Sequence, residues 1–278
     1  MGAANGYVAL DVERVGGRSR RPLQLGLVEV VDGHVTRSLM RWVRTPGHPW
    51  DCVTTTSRGM LKRGEQLTRE AYETAPFLPD AWPEIAAFTD GRPVVAHQAS
   101  GDVAALRLAF DDLGLPWPRL TFACSLQLAR AVWPAGPLRS HQLPDLAAHL
   151  FPEAGLFTGY RPATVGHDPV EDAEAVARVV LAAQQTTGTG TLAELLASTG
   201  RRLWTVEPDR CETSKGWVDR VVTTPSPPDG LSWRPADLRA AYLELCEHWR
   251  GDPAAIAQVP LVGDPLPEPT PRRRPWRP

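Results

Sequence analysis

Over residues 7 to 45 apolar positions either alternate with polar ones or run together for a few residues, so YVALD, LQLGLVEVV and HVTRSLMRWVR read as three strands. Asp32-Gly33, between the last two, supplies the turn residues of a hairpin. From about residue 80 the period changes. PDAWPEIAAF and GDVAALRLAFDDLG space their apolar residues as helices do, with the short apolar strand PVVAH between them. LTFACS continues as a strand, and QLARAVW, LPDLAAHLF and the alanine-rich VEDAEAVARVVLAAQQ as helices, the last broken off by TTGTGT at 186–191. Antiparallel strands followed by alternating helices and strands predict an α/β fold, a mixed β-sheet flanked by helices. This first domain is expected to span residues 1–186.

Residues 187–259 are expected to form a small helical accessory region, with TLAELLAST capped by Thr191 and WRPADLRAAYLELCEHWR as its helices. Residues 260–278 carry seven prolines and end in RRRPWRP, the composition of a flexible Pro/Arg-rich tail. The GTGT of residues 188–191 lacks the lysine of a phosphate loop and reads as a connection.

Composition narrows the function classes. With 278 residues, 42% apolar and 22% charged, the chain has the make-up of an ordinary folded protein. Its 30 basic and 32 acidic residues leave a net charge of −2, and four of the arginines fall in the last nine residues, which excludes a uniformly basic nucleic-acid coat. The four cysteines stand far apart with no CxxC pair, which points to reduced thiols rather than a zinc site or a disulfide framework. Nothing approaches the roughly 18 apolar residues of a membrane span, and MGAANGYVALD is no signal peptide, so a cytoplasmic protein with no membrane partner is expected.

The chemistry lies in the acids. Asp11 and Glu13 flank Val12 at the end of the first strand, and strand alternation throws both onto one face. Two acids side by side repel, and a divalent cation relieves that. Asp102 follows VVAH and the small residues Ala99, Ser100 and Gly101 at the start of a helix. In GHDPVEDAEAVA, His167 precedes Asp172 by five residues, near the start of a helix whose small side chains permit close approach to the sheet.

Taken in order, YVALDVERVGG, VVAHQASGDVAALR and GHDPVEDAEAVARVV resemble the three motifs of the DnaQ-like family of 3'-5' exonucleases, in its DEDDh branch, over residues 7 to about 185. The resemblance implies an RNase H-like fold with two Mg²⁺ or Mn²⁺ ions. It implies that Asp11, Glu13, Asp102 and Asp172 bind the ions and that His167 is the general base. A single-stranded or frayed DNA 3' end is the implied substrate, and a polymerase or repair protein is among the partners the resemblance admits. An RNA-trimming exonuclease of the same family, and a retired fold serving as a nucleic-acid or protein-binding module, stay open on these residues. The chain departs from the family where Arg14, Val15 and Gly16 replace the usual Thr-Thr-Gly, and where Gln98 and Gly101 replace the Asn and Phe of the second motif.

Other features read as structure. His97 and His141 are expected to be structural, and Ser100 and Ser125 have no His-Asp partners at a triad's spacing. Arg18, Arg20 and Arg21 form a short basic stretch that suits either a phosphate contact or a solvated turn. Trp204, Trp217, Trp233 and Trp249 read as core packing more than as base-stacking platforms.

Overall fold

The chain starts as a meander. In the computed structural model, which describes residues 6–14, 20–45, 68–134, 138, 140–157, 168–213 and 216–220, strand β1 (Gly6–Arg14) pairs antiparallel with β2 (Pro22–Val31), and β2 with β3 (His34–Trp42). Asp32 and Gly33 link β2 to β3 with φ of 48° and 78°, the two positive values that a type I′ turn demands and that Gly and Asp tolerate best. Helices α1 (Arg69–Thr74) and α2 (Leu78–Thr89) lead into β4 (Val94–Ala96), and α3 (Ser100–Asp111) into β5 (Leu120–Cys124). The rest comprises α4 (Ser125–Val132), α5 (Leu143–Leu150), the long α6 (Pro169–Thr187), α7 (Leu192–Ser198) and strands β6 (Trp204–Val206), β7 (Arg210–Thr213) and β8 (Gly216–Asp219).

All eight strands form one mixed sheet in the order β3-β2-β1-β4-β5-β6-β7-β8, parallel only at β1/β4 and β4/β5. The expected α/β class is the observed one. The helix expected in TLAELLAST is α7, while residues 204–219, within the region expected to be a small helical accessory, give three strands that extend this same sheet. Leu192, Leu195 and Leu196 join one core and Val206 and Cys211 the other, so packing continues across the expected boundary at 186. Gly188 ends α6 with φ of 68°, and Thr191 and Glu194 form a capping box on α7, which makes the GTGT segment a tight helix-to-helix turn. Residues 221–278, including WRPADLRAAYLELCEHWR and the Pro/Arg-rich tail, lie outside the described residues.

Alternation along β1 sorts the side chains between two cores. Val8, Leu10 and Val12 pack with α2 and α3 through Ile85, Phe88, Leu106 and Phe110. Tyr7 and Ala9 face the other way, against α6 and its buried Ala173, Val176, Ala177 and Val180. Tyr7 is tied to that helix by donating its hydroxyl to the Ala177 carbonyl at 2.9 Å. The approach is closest at Gly26 of β2, the ladder partner of Asp11: a methyl group there would fall 2.1 Å from the Pro169 carbonyl and 2.5 Å from the Val170 nitrogen. Only glycine lets the first turn of α6 lie flat on the sheet at this level.

Charged groups close the edges. Arg21 is 5% exposed and its guanidinium donates to both oxygens of the buried Asp112 at 2.7 Å, so it clasps the segment after β1 to the end of α3 and is no phosphate contact. Arg18 lies outside the described residues. Glu29, on the α2 side of β2, pairs with Arg37 at 2.8 Å and with Arg92, and it accepts from Thr36. The Arg37 hydrogen bond is the largest of the influences that hold its carboxyl down at about 2, against an ordinary value of 4.5.

Two outcomes follow from this packing. Gly26→Ala forces the first turn of α6 off the sheet and lowers stability by roughly 1–3 kcal/mol, the usual range for overpacking, read by urea unfolding; an unchanged midpoint would show the contact to be loose. Because the Glu29 pKa is depressed, its contribution is full above 4.5 and is lost as pH falls toward 2. Wild type therefore loses more stability than Glu29→Gln across that window, and parallel pH profiles would remove Glu29 from the acid sensitivity.

Candidate active site

Strand β1 runs out of its apolar stretch at Asp11, and the face that carried Tyr7 and Ala9 into the α6 core goes on to carry Asp11 and Glu13. Helix α6 brings the third acid to the same place. Asp168 caps that helix by accepting from Val170 N–H at 2.9 Å, Pro169 starts it, and Asp172 follows in the first turn, 6% exposed. One carboxylate oxygen from each of Asp11, Glu13 and Asp172 lies within 4.8 Å of the others.

Asp102 enters from the opposite side of β1. It sits in the first turn of α3, 7% exposed, and its carboxylate accepts from the backbone N–H groups of Val12 and of Asp102 itself. It lines the same cavity as the other three acids, a recess of about 360 Å³, but stands apart from their tight cluster. All four expected carboxylates thus share one recess. His167 lies outside the described residues.

The electrostatics are those of crowded acids. Burial, followed by the charges of Asp172, Glu13 and Asp102, pushes the Asp11 carboxyl well above the usual range, with Arg14 pulling against it. Burial likewise raises Asp102 to about 7 and Glu13 adds to the rise, while Arg14 and the backbone hydrogen bonds hold it back. Clustered oxygen donors whose charges repel fit a hard divalent cation, which takes oxygen ligands and neutralises them. Arg14 is the only Arg or Lys among the described residues that line the recess. Its Nη1 lies 3.4 Å from where a side chain on Gly101 would begin, so Arg14 and Gly101, two of the positions at which the chain departs from the motifs it resembles, lie side by side.

The histidine that does line the recess is structural, as expected. His97 Nε2 is 2.9 Å from the His141 carbonyl, which can only accept, so that nitrogen carries the proton and Nδ1 accepts from Ser125 Oγ at 2.9 Å. Burial lowers its pKa to about 4, leaving a neutral ring. Ser125 therefore does have a histidine partner, which the sequence spacing did not reveal. It is fully buried and the ring's far side meets a carbonyl in place of an acid, so the pair joins α4 to β4 and is no hydrolytic triad. His141 Nε2 donates in turn to the Trp133 carbonyl at 2.7 Å.

The sequence pattern alone gives Gly26 no role. The available signal was the LQLGLV stretch itself, in which a glycine and an amide interrupt an apolar strand. Glu171, one of the acidic neighbours of Asp172, accepts from Phe157 N–H at 2.6 Å.

Comparison with protein-family models and with curated protein sequences finds no match. Among solved structures, a full-length 3'-exonuclease resembles this chain over 81% of its length and 96% of the other, with a TM-score of 0.53 at 10% identity. The nuclease domain of 3'hExo, a DEDDh family member bound to rAMP, does so over 68% and 96%, with a TM-score of 0.51 at 10% identity. Exonuclease X in complex with 5' overhanging duplex DNA is 21% identical over 69% of this chain and 98% of its own, with a TM-score of 0.49. At such identities the likeness is one of fold: the RNase H-like sheet that the three motifs led one to expect is the sheet this chain builds, shared with a 3'-exonuclease and with the nuclease domain of a DEDDh family member.

Proposed function

We propose that this chain is a divalent-cation-dependent 3'-5' exonuclease that removes nucleotides from the 3' end of single-stranded or frayed DNA. The observation that carries the reading is the convergence of Asp11, Glu13 and Asp172, from a strand end and a helix start, within 4.8 Å of one another. The fold shared with 3'-exonucleases supports it.

In this reading Asp11, Glu13, Asp102 and Asp172 hold two Mg²⁺ or Mn²⁺ ions. When bound, such a pair supplies Lewis-acid stabilisation of the attacking and leaving oxygens of a phosphodiester. The chain's own groups do the rest. His167, one residue before the Asp168 cap, accepts the proton of the water that attacks phosphorus. The bond from phosphorus to the 3' oxygen breaks, releasing a nucleoside 5'-monophosphate and leaving a 3'-hydroxyl on the shortened strand. Arg14 offers the recess its one described guanidinium to a substrate phosphate, the bidentate pairing for which arginine is suited. Because the chain as a whole is not basic, the substrate is held at its end rather than along a groove.

Incubation of the full chain with end-labelled single-stranded DNA and RNA, with Mg²⁺, Mn²⁺ or EDTA, tests this directly. DNA is shortened from its 3' end in the presence of either ion and stays intact in EDTA; preferential trimming of RNA would reassign the sugar, and no trimming of either would overturn the reading. Asp11→Asn abolishes trimming while the melting temperature in EDTA holds or rises. The sign follows from its raised pKa: ionisation of Asp11 takes stability from the folded state as pH climbs, and a neutral amide removes that loss. Retained turnover would take Asp11 out of the site. His167→Ala lowers turnover by about 10²- to 10⁴-fold with Mn²⁺ affinity nearly intact, the effect of losing a positioned base; full turnover in that variant would assign the proton to another acceptor.

A further inference from the structure

Strand β1 changes its pairing where it ends. Its register against β2 holds through Glu13 and slips between Glu13 and Arg14, an irregularity of the kind that re-aims a side chain beside a site. Arg14 is aimed at α3. Its Nη1 lies 3.4 Å from where a side chain on Gly101 would begin, and Gly101 is the residue before Asp102. The guanidinium thus stands on the α3 side of the recess, across β1 from the side to which α6 brings Asp172.

Its charge acts on the acids that share the recess. Burial is the largest influence on Asp11 and Asp102 and raises both; Arg14 pulls both back, and on Asp102 it does so more than any other lowering influence. The count of charges then assigns it two partners in turn. Ionised, Asp11, Glu13, Asp102 and Asp172 carry four negative charges, which two divalent cations cancel. Arg14 is then left as an excess positive charge, and a single phosphodiester is its match. Before the cations arrive, the same guanidinium is a counter-charge to the acids.

We infer that Arg14 is the resident counter-ion of the acids in the cation-free chain, that divalent cations displace it from them, and that it then pairs with the phosphodiester of the substrate. The inference rests on the exonuclease reading and deepens it: one guanidinium opposes cation uptake and favours the substrate. Cation and substrate therefore strengthen each other's binding through Arg14, and the coupling runs equally in both directions.

The test uses the full chain with Mn²⁺ as the probe, Arg14→Met to remove the charge at similar length, and Arg14→Lys to keep the charge without the planar fork. Calorimetric Mn²⁺ titration, melting in EDTA and the KM for single-stranded DNA are measured on each. Arg14→Met is expected to melt lower than wild type in EDTA, because the acids lose a counter-charge. It is nevertheless expected to bind Mn²⁺ about 3- to 10-fold more tightly, the scale of an exposed charge acting on a doubly charged ion. Its KM rises by about 10-fold with the loss of a charge-assisted contact. Arg14→Lys keeps the wild-type Mn²⁺ affinity and has a KM between the other two. A merely structural loss would lower the melting temperature and Mn²⁺ affinity together. Mn²⁺ affinity in Arg14→Met at or below the wild-type value overturns the inference, and so does an unmoved KM or a tightening that Arg14→Lys shares. A wild-type chain that takes up no Mn²⁺ is a different failure: it removes the cation reading of the whole site and this inference with it.

Discussion

Everything at the site depends on how closely the first turn of α6 lies against β2. At Gly26 the Pro169 carbonyl occupies the space a side chain would fill, and Gly26 is the ladder partner of Asp11. A helix held one side chain further out would keep its hydrophobic partners but carry Asp172 away from Asp11 and Glu13. Ala173, Ala175, Val176, Ala177, Val179, Val180 and Ala183 of α6, all fully buried, extend the same approach along the helix, and the Tyr7 bond to Ala177 fixes it two turns on. Packing density and acid geometry are one constraint here, since small side chains set the distance at which carboxylates meet.

The crowded acids work against the stability of the fold. Buried carboxylates that raise one another's pKa are a local conflict of the kind that concentrates at functional sites. The surrounding structure is arranged to hold it. Asp102 is fixed by backbone N–H groups on both β1 and α3, and the neutral His97–Ser125 pair locks the end of β4 to α4 just beneath the recess. Arg14 supplies one counter-charge from the strand that bears two of the acids.

Strands β1 to β3, the turn at Asp32-Gly33 and the helices from α2 to α6 were legible in the sequence, because each rests on a local pattern of alternation or helical spacing, whereas the four carboxylates are weak signals one by one and were picked out by the resemblance of the three motifs. What escaped depends on partners distant in the chain. Strands β6 to β8 are three or four residues long, too short to show a period, and exist because β5 offers them an edge. Arg21 reads as surface until Asp112, far along the chain, is seen to bury it. Gly26 looks like a blemish in a largely apolar strand and acquires meaning only when β1 and α6 are laid beside it.

The central claim is that the strand β1 acids and Asp172 form one cation site. The most direct measurement is anomalous scattering from crystals of the full chain grown with Mn²⁺. The account requires a Mn²⁺ peak among the carboxylates of Asp11, Glu13 and Asp172, within the recess that Asp102 also lines. Mn²⁺ found only elsewhere on the molecule, with these carboxylates left apart from it, would contradict the account.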